Sequence, residues 1–181
     1  MDITIRDARP AELAAVGALT AAVYLGEGLL VDAERDPYLA VLRDAARRAE
    51  HAEVLVAVAP DGPGDEVVGT VTFVTAGEYA DIAGPDEAEF RMLAVSPAAR
   101  GRGAGEALVR ECLRRARRSG RRRIVLSSQL QMHTAHRLYE RLGFVRTPER
   151  DWEPLPGFVL STFARGLDDP PTDELLGDHN I

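Results

Sequence analysis

The spacing of apolar residues predicts that the chain opens with one strand and two helices. Residues 3–5 alternate apolar and polar side chains, as in a short strand with one buried face. Residues 13–23 carry apolar side chains at every third or fourth position, which is the spacing of a helix with one buried face. Asp36-Pro37 pairs an N-cap acceptor with a proline at the first helical position, so we expect a second helix from there to about residue 49.

The rest of the chain predicts further strands and two more helices. Residues 54–58 and 67–74 are rich in β-branched residues, and the proline and glycine residues between them favour an antiparallel hairpin. Pro97 would end the next strand, because proline has no N–H for a β-ladder. The remaining predicted elements are a strand at 88–95, a helix from Ala104 to Gly120, a strand at 124–126, a helix at 132–142 and a strand at 159–164.

Length and composition indicate one ordinary globular domain. The 181 residues are 45% hydrophobic and 28% charged, with no apolar run of membrane length. We expect residues 1–167 to form the domain and residues 168–181 to be a flexible tail. The lone Cys112 cannot form an internal disulfide, and the N-terminus lacks the layout of a secretion signal, so we expect a reducing, cytoplasmic location.

Charge is distributed unevenly along the chain. The formal net charge of −7 argues against nucleic-acid and anionic-membrane partners, since both are polyanions. Between Glu111 and Glu140, however, there is no acidic residue and there are eight arginines. These are Arg114, Arg115, Arg117, Arg118, Arg121, Arg122, Arg123 and Arg137. They indicate either a small polyanionic ligand or a solvated, arginine-rich helix face.

A glycine-rich turn, Arg100-Gly101-Arg102-Gly103-Ala104-Gly105, lies between a predicted strand and a predicted helix. The first N–H groups of a helix have no acceptor within it and the helix dipole is positive there, so the turn is suited to an anion. A nucleoside-triphosphate loop is excluded, because Glu106 and Ala107 stand where Lys and Ser or Thr are needed. A dinucleotide fingerprint is excluded by the Gly-x-Gly-x-Gly spacing and by the lack of an acidic residue about twenty positions later.

Two segments resemble the signatures of the GNAT superfamily of acetyltransferases. Arg100, Gly103 and Gly105 match its acetyl-CoA-binding turn, and Met92-Leu93-Ala94-Val95-Ser96-Pro97 resembles the strand before that turn. Ala135 to Phe144 matches a second signature, Ala-x-x-Leu-Tyr-x-x-x-Gly-Phe. The resemblance implies an α/β (α+β) fold with a mixed, mostly antiparallel central sheet flanked by helices. Within that sheet, the parallel strands at 88–95 and 124–126 would be splayed apart.

The same resemblance implies an N-acetyltransferase that uses acetyl-CoA as cosubstrate, with direct attack of an amine on the thioester and no metal. A non-catalytic acyl-CoA-binding regulatory module is the alternative. The pantetheine arm would lie between the splayed strands and the pyrophosphate on the N–H groups of the turn. The implied cofactor-binding residues are Leu93, Ala94, Val95, Arg100, Gly101, Arg102, Gly103, Ala104, Gly105 and Thr134.

Glu89 and Tyr139 are the candidate catalytic residues. An alkylammonium has a pKa near ~10.4 and must lose a proton before it attacks, and Glu89 is the candidate base. Because side chains alternate along a strand, the odd-numbered residues from 87 to 95 are predicted to share a face that directs Glu89 toward the thioester. The resemblance implies that Tyr139 donates a hydrogen bond or proton to the CoA sulfur, and that the Val95 N–H polarises the carbonyl. The alternatives are a solvated carboxylate for Glu89 and a core aromatic for Tyr139.

Met132 stands where many members of the family have an asparagine that contacts the cofactor. We expect this contact to be missing or to be replaced by a neighbouring hydrogen-bonding side chain. The candidates for that replacement are Ser127, Ser128, Gln129 and Thr134.

The acceptor, a small molecule or a peptide with an amine, is expected near residues 24–38, 77–87 and 147–156. Acidic residues in these segments favour a cationic amine. They are Glu78, Asp81, Asp86, Glu87, Asp151 and Glu153. Trp152 would either stack on such an acceptor or anchor its loop. We expect no metal, because His133 and His136 have no third ligand nearby, and a homodimer is left open.

Overall fold

The computed structural model describes residues 2–60 and 65–168, so the tail predicted at 168–181 lies outside the described residues except for Asp168. Eight strands are described: β1 (Thr4–Asp7), β2 (Glu53–Ala59), β3 (Glu66–Val74), β4 (Glu87–Val95), β5 (Arg123–Gln129), β6 (Val145–Arg146), β7 (Trp152–Leu155) and β8 (Phe158–Gly166). The described α-helices are α1 (Leu13–Gly26), α2 (Tyr38–Arg43), α3 (Ala45–His51), α4 (Ala104–Arg118) and α5 (His133–Arg141). None of these helices combines the length and apolar character that crossing a bilayer requires.

The described strands form one sheet in the order β1-β2-β3-β4-β5-β8-β6, and β7 pairs with β8 beside this path. β4 and β5 are parallel, whereas the other neighbouring pairs of the described sheet are antiparallel. Helices cover both faces of the sheet. This architecture confirms the predicted mixed, mostly antiparallel fold.

Burial on both faces explains the continuous apolar run of β2. The odd-numbered residues from 55 to 59 belong to a core shared with α4 and α5. The even-numbered residues from 54 to 58 belong to a second core shared with α1 and α3. Because successive side chains of a strand point to opposite faces, a strand covered on both sides needs apolar residues at every position.

The single helix predicted from Asp36 to about residue 49 is wrong, because the segment divides into α2 and α3. Asp44 leaves helical geometry between them, with φ −86° and ψ 64°. Its carboxylate accepts a hydrogen bond of 3.1 Å from the N–H of Arg47. A side-chain cap of this kind satisfies a free N–H at a helix start, so it begins a new helix.

The apolar pattern does not predict β6 or β7. Both residues of β6 are exposed, and Pro154 lies within β7, so neither strand has the alternating buried face on which a sequence prediction depends. Their pairing with β8 holds them in the sheet. The hairpin of β7 and β8 forms one wall of the site described below.

The parallel strands β4 and β5 separate along their length. They pair at three positions, from Glu87 opposite Arg123 to Glu89 opposite Val125, and these two fully described strands have no further pair beyond that point. Their carboxyl-terminal halves therefore diverge, as predicted. The gap leaves backbone groups of both strands without a neighbouring strand.

β4 also contains a β-bulge at residues 92 and 93. Arg91 pairs with Thr72 and Ala94 pairs with Thr70, so two residues of β4 oppose one residue of β3. Met92 has a positive φ of 55°. The extra residue reverses the face to which each later side chain of the strand points.

The bulge corrects the prediction that odd-numbered residues from 87 to 95 share one face. Arg91 points to the side of α2, where it donates a hydrogen bond to the hydroxyl of Tyr38. Leu93 and Val95 instead pack against the core on the α4 side. Glu89 and Arg91 therefore lie on one face of the sheet, and Leu93 and Val95 lie on the other.

Candidate active site

A groove of about 440 Å³ follows the start of α4, the end of β4 and one side of α5. Gly103 is the N-cap of α4, with φ 81°, and no side chain in the described part of the chain caps this helix. A Cβ at Gly101 or Gly103 would meet no atom within 4 Å, so these glycines serve the positive φ angles and leave the space over the turn open. The first helical hydrogen bond runs from Ala107 to Gly103, so the N–H groups of residues 104–106 have no acceptor within the helix.

The groove brings together every predicted cofactor-binding residue except Arg102. These residues come from the end of β4 (93–95), the turn (100–105) and Thr134 at the start of α5. Sequence reasoning missed the opposite wall, formed by Gln131, Ala135, Leu138 and Arg141. The signature from Ala135 to Phe144 contains most of that wall, so it was the available signal.

Most of the arginine-rich segment serves the surface of α4 and its neighbours. The carboxylate of Glu111 pairs with Arg114, Arg115 and Arg118. Arg115 also reaches Asp7 and Glu53, each at 2.8 Å. Among the described residues, no arginine from 114 to 123 lines the groove.

Two arginines outside that segment do line the groove, Arg100 and Arg141. Arg100 pairs with Glu27 at the end of α1, and Arg141 lies 3.5 Å from Glu106. Both cations are thus tied to glutamates that also line the groove. An anion bound there would compete with these two glutamates for the guanidinium groups.

A second cavity of about 480 Å³ adjoins the groove, and Leu29, Leu93 and Met132 line both. Its walls come from α1, α2 and the segment between them, the residues before and within β4, the end of β5, α5 and the β7–β8 hairpin. Glu89 and Tyr139 both line it. The two spaces meet where β4 and β5 separate.

Glu89 is fully buried, with 0% of its surface exposed. Its Oε1 accepts hydrogen bonds from the N–H groups of Asp81, Ile82 and Ala83 at 2.9–3.0 Å. Its Oε2 is buried and has no hydrogen-bond partner in the described part of the chain. Burial raises the pKa of Glu89, although the N–H groups of Ile82 and Ala83 oppose this effect. The carboxylate is therefore held by one oxygen and unpartnered at the other.

Asp81 and Arg91 add an ion pair to the cavity wall that the sequence did not single out. Nη2 of Arg91 lies 3.0 Å from Oδ2 of Asp81, and its Nη1 donates to the carbonyl of Tyr79 at 3.0 Å. Burial raises the pKa of Asp81, and the charge of Arg91 opposes that shift. The cavity thus contains two carboxyl groups, Asp81 and Glu89, whose charged forms are disfavoured by burial.

Tyr139 lies in a cluster of aromatic rings at the floor of the cavity and is 3% exposed. Its ring centroid lies 5.8 Å from that of Phe90, 5.9 Å from that of Phe144 and 5.7 Å from that of Phe163. Burial raises the pKa of its hydroxyl. The side chain therefore packs in the core, as expected of a core aromatic, and also lines the cavity, where a catalytic tyrosine would have to lie.

The four candidates to replace the asparagine contact all bond within the protein. Ser128 Oγ lies 3.0 Å from His136 Nε2, and Gln129 donates to the carbonyl of Leu29 at 2.8 Å. Ser127 accepts a hydrogen bond of 2.9 Å from the indole of Trp152. Thr134 accepts a hydrogen bond of 3.2 Å from Arg137. Of the four, only Thr134 lines the groove.

Ion pairs engage several of the loop acids expected to attract a cationic acceptor. Glu78 pairs with Arg47, Glu87 with Arg150 and Arg123, and Asp151 with Arg146. Of the six acids named for this role, only Asp81 lines the cavity. Trp152 does line it, and the hydrogen bond from its indole to Ser127 anchors the β7 segment to β5. Among the residues that the structure describes, no group of three or more His, Cys, Asp or Glu side chains is arranged to hold a metal ion.

The chain is similar to known proteins in both sequence and fold. Residues 24–144 match the sequence model of the acetyltransferase (GNAT) family. No curated protein sequence matches the chain. The fold is similar to a Salmonella typhimurium structure that contains its cofactor acetyl-CoA, with 25% identity and a TM-score of 0.64 over 94% of this chain and 96% of that one.

Two further solved structures have similar folds. A GCN5-related N-acetyltransferase from Kribbella flavida is 25% identical, with a TM-score of 0.64 over 91% of this chain and 97% of that one. A GNAT-family acetyltransferase from Staphylococcus aureus has a TM-score of 0.70 at 14% identity, over 92% of this chain and 99% of that one. The similarity therefore extends over nearly the whole length of each of these proteins.

Proposed function

Because the chain belongs to the acetyltransferase (GNAT) family, we propose that it transfers the acetyl group of acetyl-CoA to the nitrogen of an amine. One observation carries the proposal: a groove of uncapped helix N–H groups meets a cavity that contains a carboxylate and a tyrosine, where two parallel strands separate. The groove suits a phosphorylated cofactor and the cavity suits an acceptor. Their junction is the position at which the two substrates would react.

The groove has the chemistry that acetyl-CoA requires. The N–H groups of residues 104–106 and the open space over Gly101 and Gly103 fit a pyrophosphate. Beyond Glu89, the backbone of β4 has no partner strand on the β5 side, so polar groups near Leu93 and Val95 are available to an extended pantetheine arm. When bound, acetyl-CoA supplies an acetyl group activated as a thioester.

Glu89 would accept the proton that the attacking amine releases. Oε1 is held by three N–H groups, so Oε2 is the atom that takes the proton, directly or through a water molecule. Because its pKa is raised, Glu89 is a stronger base than an ordinary glutamate, and its pKa is closer to that of the amine from which it takes the proton. Asp81, on the same wall, is paired with Arg91 and is less suited to the role.

Tyr139 would supply a proton or a hydrogen bond from Oη to the departing sulfur. A tyrosine hydroxyl, with an ordinary pKa near ~10, is protonated at neutral pH, and burial raises the pKa of Tyr139 further. The ring contacts with Phe90, Phe144 and Phe163 fix its position. In the complete step, a C–N bond forms and a C–S bond breaks, while the neutral amine nitrogen gives one proton to Glu89 and the sulfur gains one from Tyr139. Proton exchange with water restores both side chains, and an acceptor that arrives as an ammonium gives its additional proton to water before attack.

Calorimetry and a CoA-release assay test the proposal together. We expect the protein to bind acetyl-CoA and to release CoA only when a suitable amine is present. Tyr139→Phe should lower kcat by about 10²-fold, the low end for loss of a general acid, and should leave acetyl-CoA affinity unchanged. Binding without turnover for any amine would instead favour the non-catalytic acyl-CoA-binding module.

A further inference from the structure

The walls of the acceptor cavity are mainly apolar. Most of its lining residues are aromatic or aliphatic, among them Tyr24, Leu30, Phe90, Trp152 and Leu160, whereas the end of β5 contributes the polar Ser127, Ser128 and Gln129. A volume of about 480 Å³ is that of a small-molecule site. The cavity therefore suits a compact apolar body.

The rim of the cavity is apolar as well, and it is exposed. Val31, Val41 and Leu155 all line the cavity and are 63%, 41% and 51% exposed. They come from the α1–α2 connection, α2 and β7, so three separate segments each contribute one exposed apolar side chain to a single opening. Such a cluster, unlike a single exposed valine, marks a binding surface for an apolar ligand.

The charged groups of the cavity disfavour a carboxylate on the ligand. Three acids line it, Asp36, Asp81 and Glu89, and Arg91 is the one guanidinium among its described lining residues. Nη2 of Arg91 donates to the Tyr38 hydroxyl and pairs with Asp81. A carboxylate in the cavity would meet this neutralised arginine and two further acids, which repel it.

We propose that the acetyl acceptor is a small primary amine on an apolar body, with no carboxylate next to the amine. This inference rests on the proposed transfer of acetyl to amines and specifies the substrate class of the same site. The apolar walls bind the body, and Glu89 at the inner end receives the proton of the amine. A free amino acid with the same side chain is discriminated against by its carboxylate.

Four amines test the proposal through kcat/KM for CoA release, referred to the concentration of neutral amine. They are phenylethylamine, phenylalanine, phenylalaninamide and ethylamine. We expect phenylethylamine and phenylalaninamide to exceed both phenylalanine and ethylamine by about tenfold or more. Equal rates for phenylalanine or for ethylamine would overturn the substrate class while leaving acetyl transfer intact. Turnover of no amine, with acetyl-CoA bound, would overturn both proposals.

A pair of variants tests whether the rim holds the apolar body. Val31→Ser removes an apolar group from the rim, and Val145→Ser makes the same change at a residue that is equally exposed, at 64%, but lies in β6 outside the cavity. We expect Val31→Ser to lower kcat/KM for phenylethylamine by about threefold or more and Val145→Ser to leave it unchanged. Equal effects of the two changes, or no effect of Val31→Ser, would overturn the role of the rim.

Discussion

The groove at the start of α4, proposed to hold the cofactor, and the cavity beside it, proposed to hold the acceptor, share a boundary but are built from different parts of the protein. The groove is built mainly around one stretch, residues 93–106, which includes the free N–H groups at the start of α4, with α5 as its second wall and Val23, Glu27 and Leu29 at its α1 side. The cavity uses side chains from segments that are far apart in the chain, from Tyr24 to Leu160. A site made of backbone keeps its chemistry when most of its side chains change, whereas a site made of side chains changes with each of them. Under the proposed function, we therefore expect the groove to be the part shared within the family and the cavity to be the part that determines the acceptor.

Replacing Glu89 is expected to have the largest effect and tests whether the cavity supplies the base. Glu89→Gln retains an oxygen for the three N–H groups of residues 81–83 but cannot accept a proton. We expect kcat/KM to fall by about 10² to 10⁴ and acetyl-CoA affinity to stay unchanged. Steady-state kinetics and calorimetry measure the two effects separately.

The pH dependence of that loss identifies its cause. In the wild type, kcat/KM should decline as pH falls through the raised pKa of Glu89, since the protonated carboxyl cannot act as a base. In Glu89→Gln the deficit should shrink as pH approaches the pKa of a free alkylamine, near ~10.4, because less deprotonation is then needed. A deficit of the same size at every pH would mean that Glu89 positions the acceptor.

Gly105 allows the groove to be changed without straining the turn. A Cβ there would lie 3.7 Å from Val95 Cγ2 and 3.8 Å from Leu138 Cδ2, which are ordinary contacts, whereas Gly103 has a positive φ. Gly105→Asp should raise the Kd of acetyl-CoA by about tenfold or more relative to Gly105→Asn, because the two differ mainly in charge. If calorimetry gives the same Kd for both variants, a pyrophosphate does not bind at this helix start.

Replacing Asp151, the neighbour of the cavity-lining Trp152, is expected to have the smallest effect of these changes and to affect the amine but not the cofactor. Its carboxylate accepts two hydrogen bonds of 2.8 Å from Arg146 and one from the N–H of Thr162, and these hold its pKa at about 2. We expect Asp151→Asn to reduce the free energy of unfolding at neutral pH by about 1 kcal/mol. It should raise KM for the amine a few-fold by loosening the segment that carries Trp152, with acetyl-CoA affinity unchanged.

The sign of the pH effect at Asp151 follows from its lowered pKa. The stabilisation is fully present above the pKa of an unfolded aspartate, near ~3.9, and is lost as pH falls toward the folded value. Urea unfolding of the wild type and Asp151→Asn should therefore differ at pH 7 and converge in acid. A difference of undiminished size at pH 2 would trace the loss to packing.

The groove could be predicted from the sequence because its determinants are local. A run of glycines before a helix reports positive φ angles and free N–H groups directly, and Arg100 to Gly105 show both features. The second signature located Tyr139 on α5 in the same way. For the arginine segment the sequence analysis left two alternatives, a polyanionic ligand or a solvated helix face. The spacing of Glu111 and Arg115 indicates a helical ion pair, but the long-range partners Asp7 and Glu53 are brought to Arg115 only by the fold.

The cavity was harder to predict because its residues meet only in the folded chain. The acids of residues 78–87 look alike in the sequence, yet Glu78 and Glu87 pair with arginines outside the cavity, whereas Asp81 and its partner Arg91 both line it. The burial of Glu89 depends on a loop that folds back over β4 to donate its N–H groups. Pattern reasoning nominates such a carboxylate but cannot supply its partners.

The β-bulge at Met92 affects how this chain is compared with its relatives. A protein with one residue fewer between Arg91 and Ala94 would have nearly the same sequence in this strand. The side chains on one side of that position would nevertheless point to the opposite face of the sheet from the corresponding side chains here. Position-by-position alignment across the bulge would then assign a cofactor-facing role to an acceptor-facing residue. Roles transfer correctly when the residues before the bulge are counted forward from Glu87 and those after it backward from Pro97. The part of β4 before the bulge and the part after it therefore behave as two separate segments, and each has to be aligned by itself.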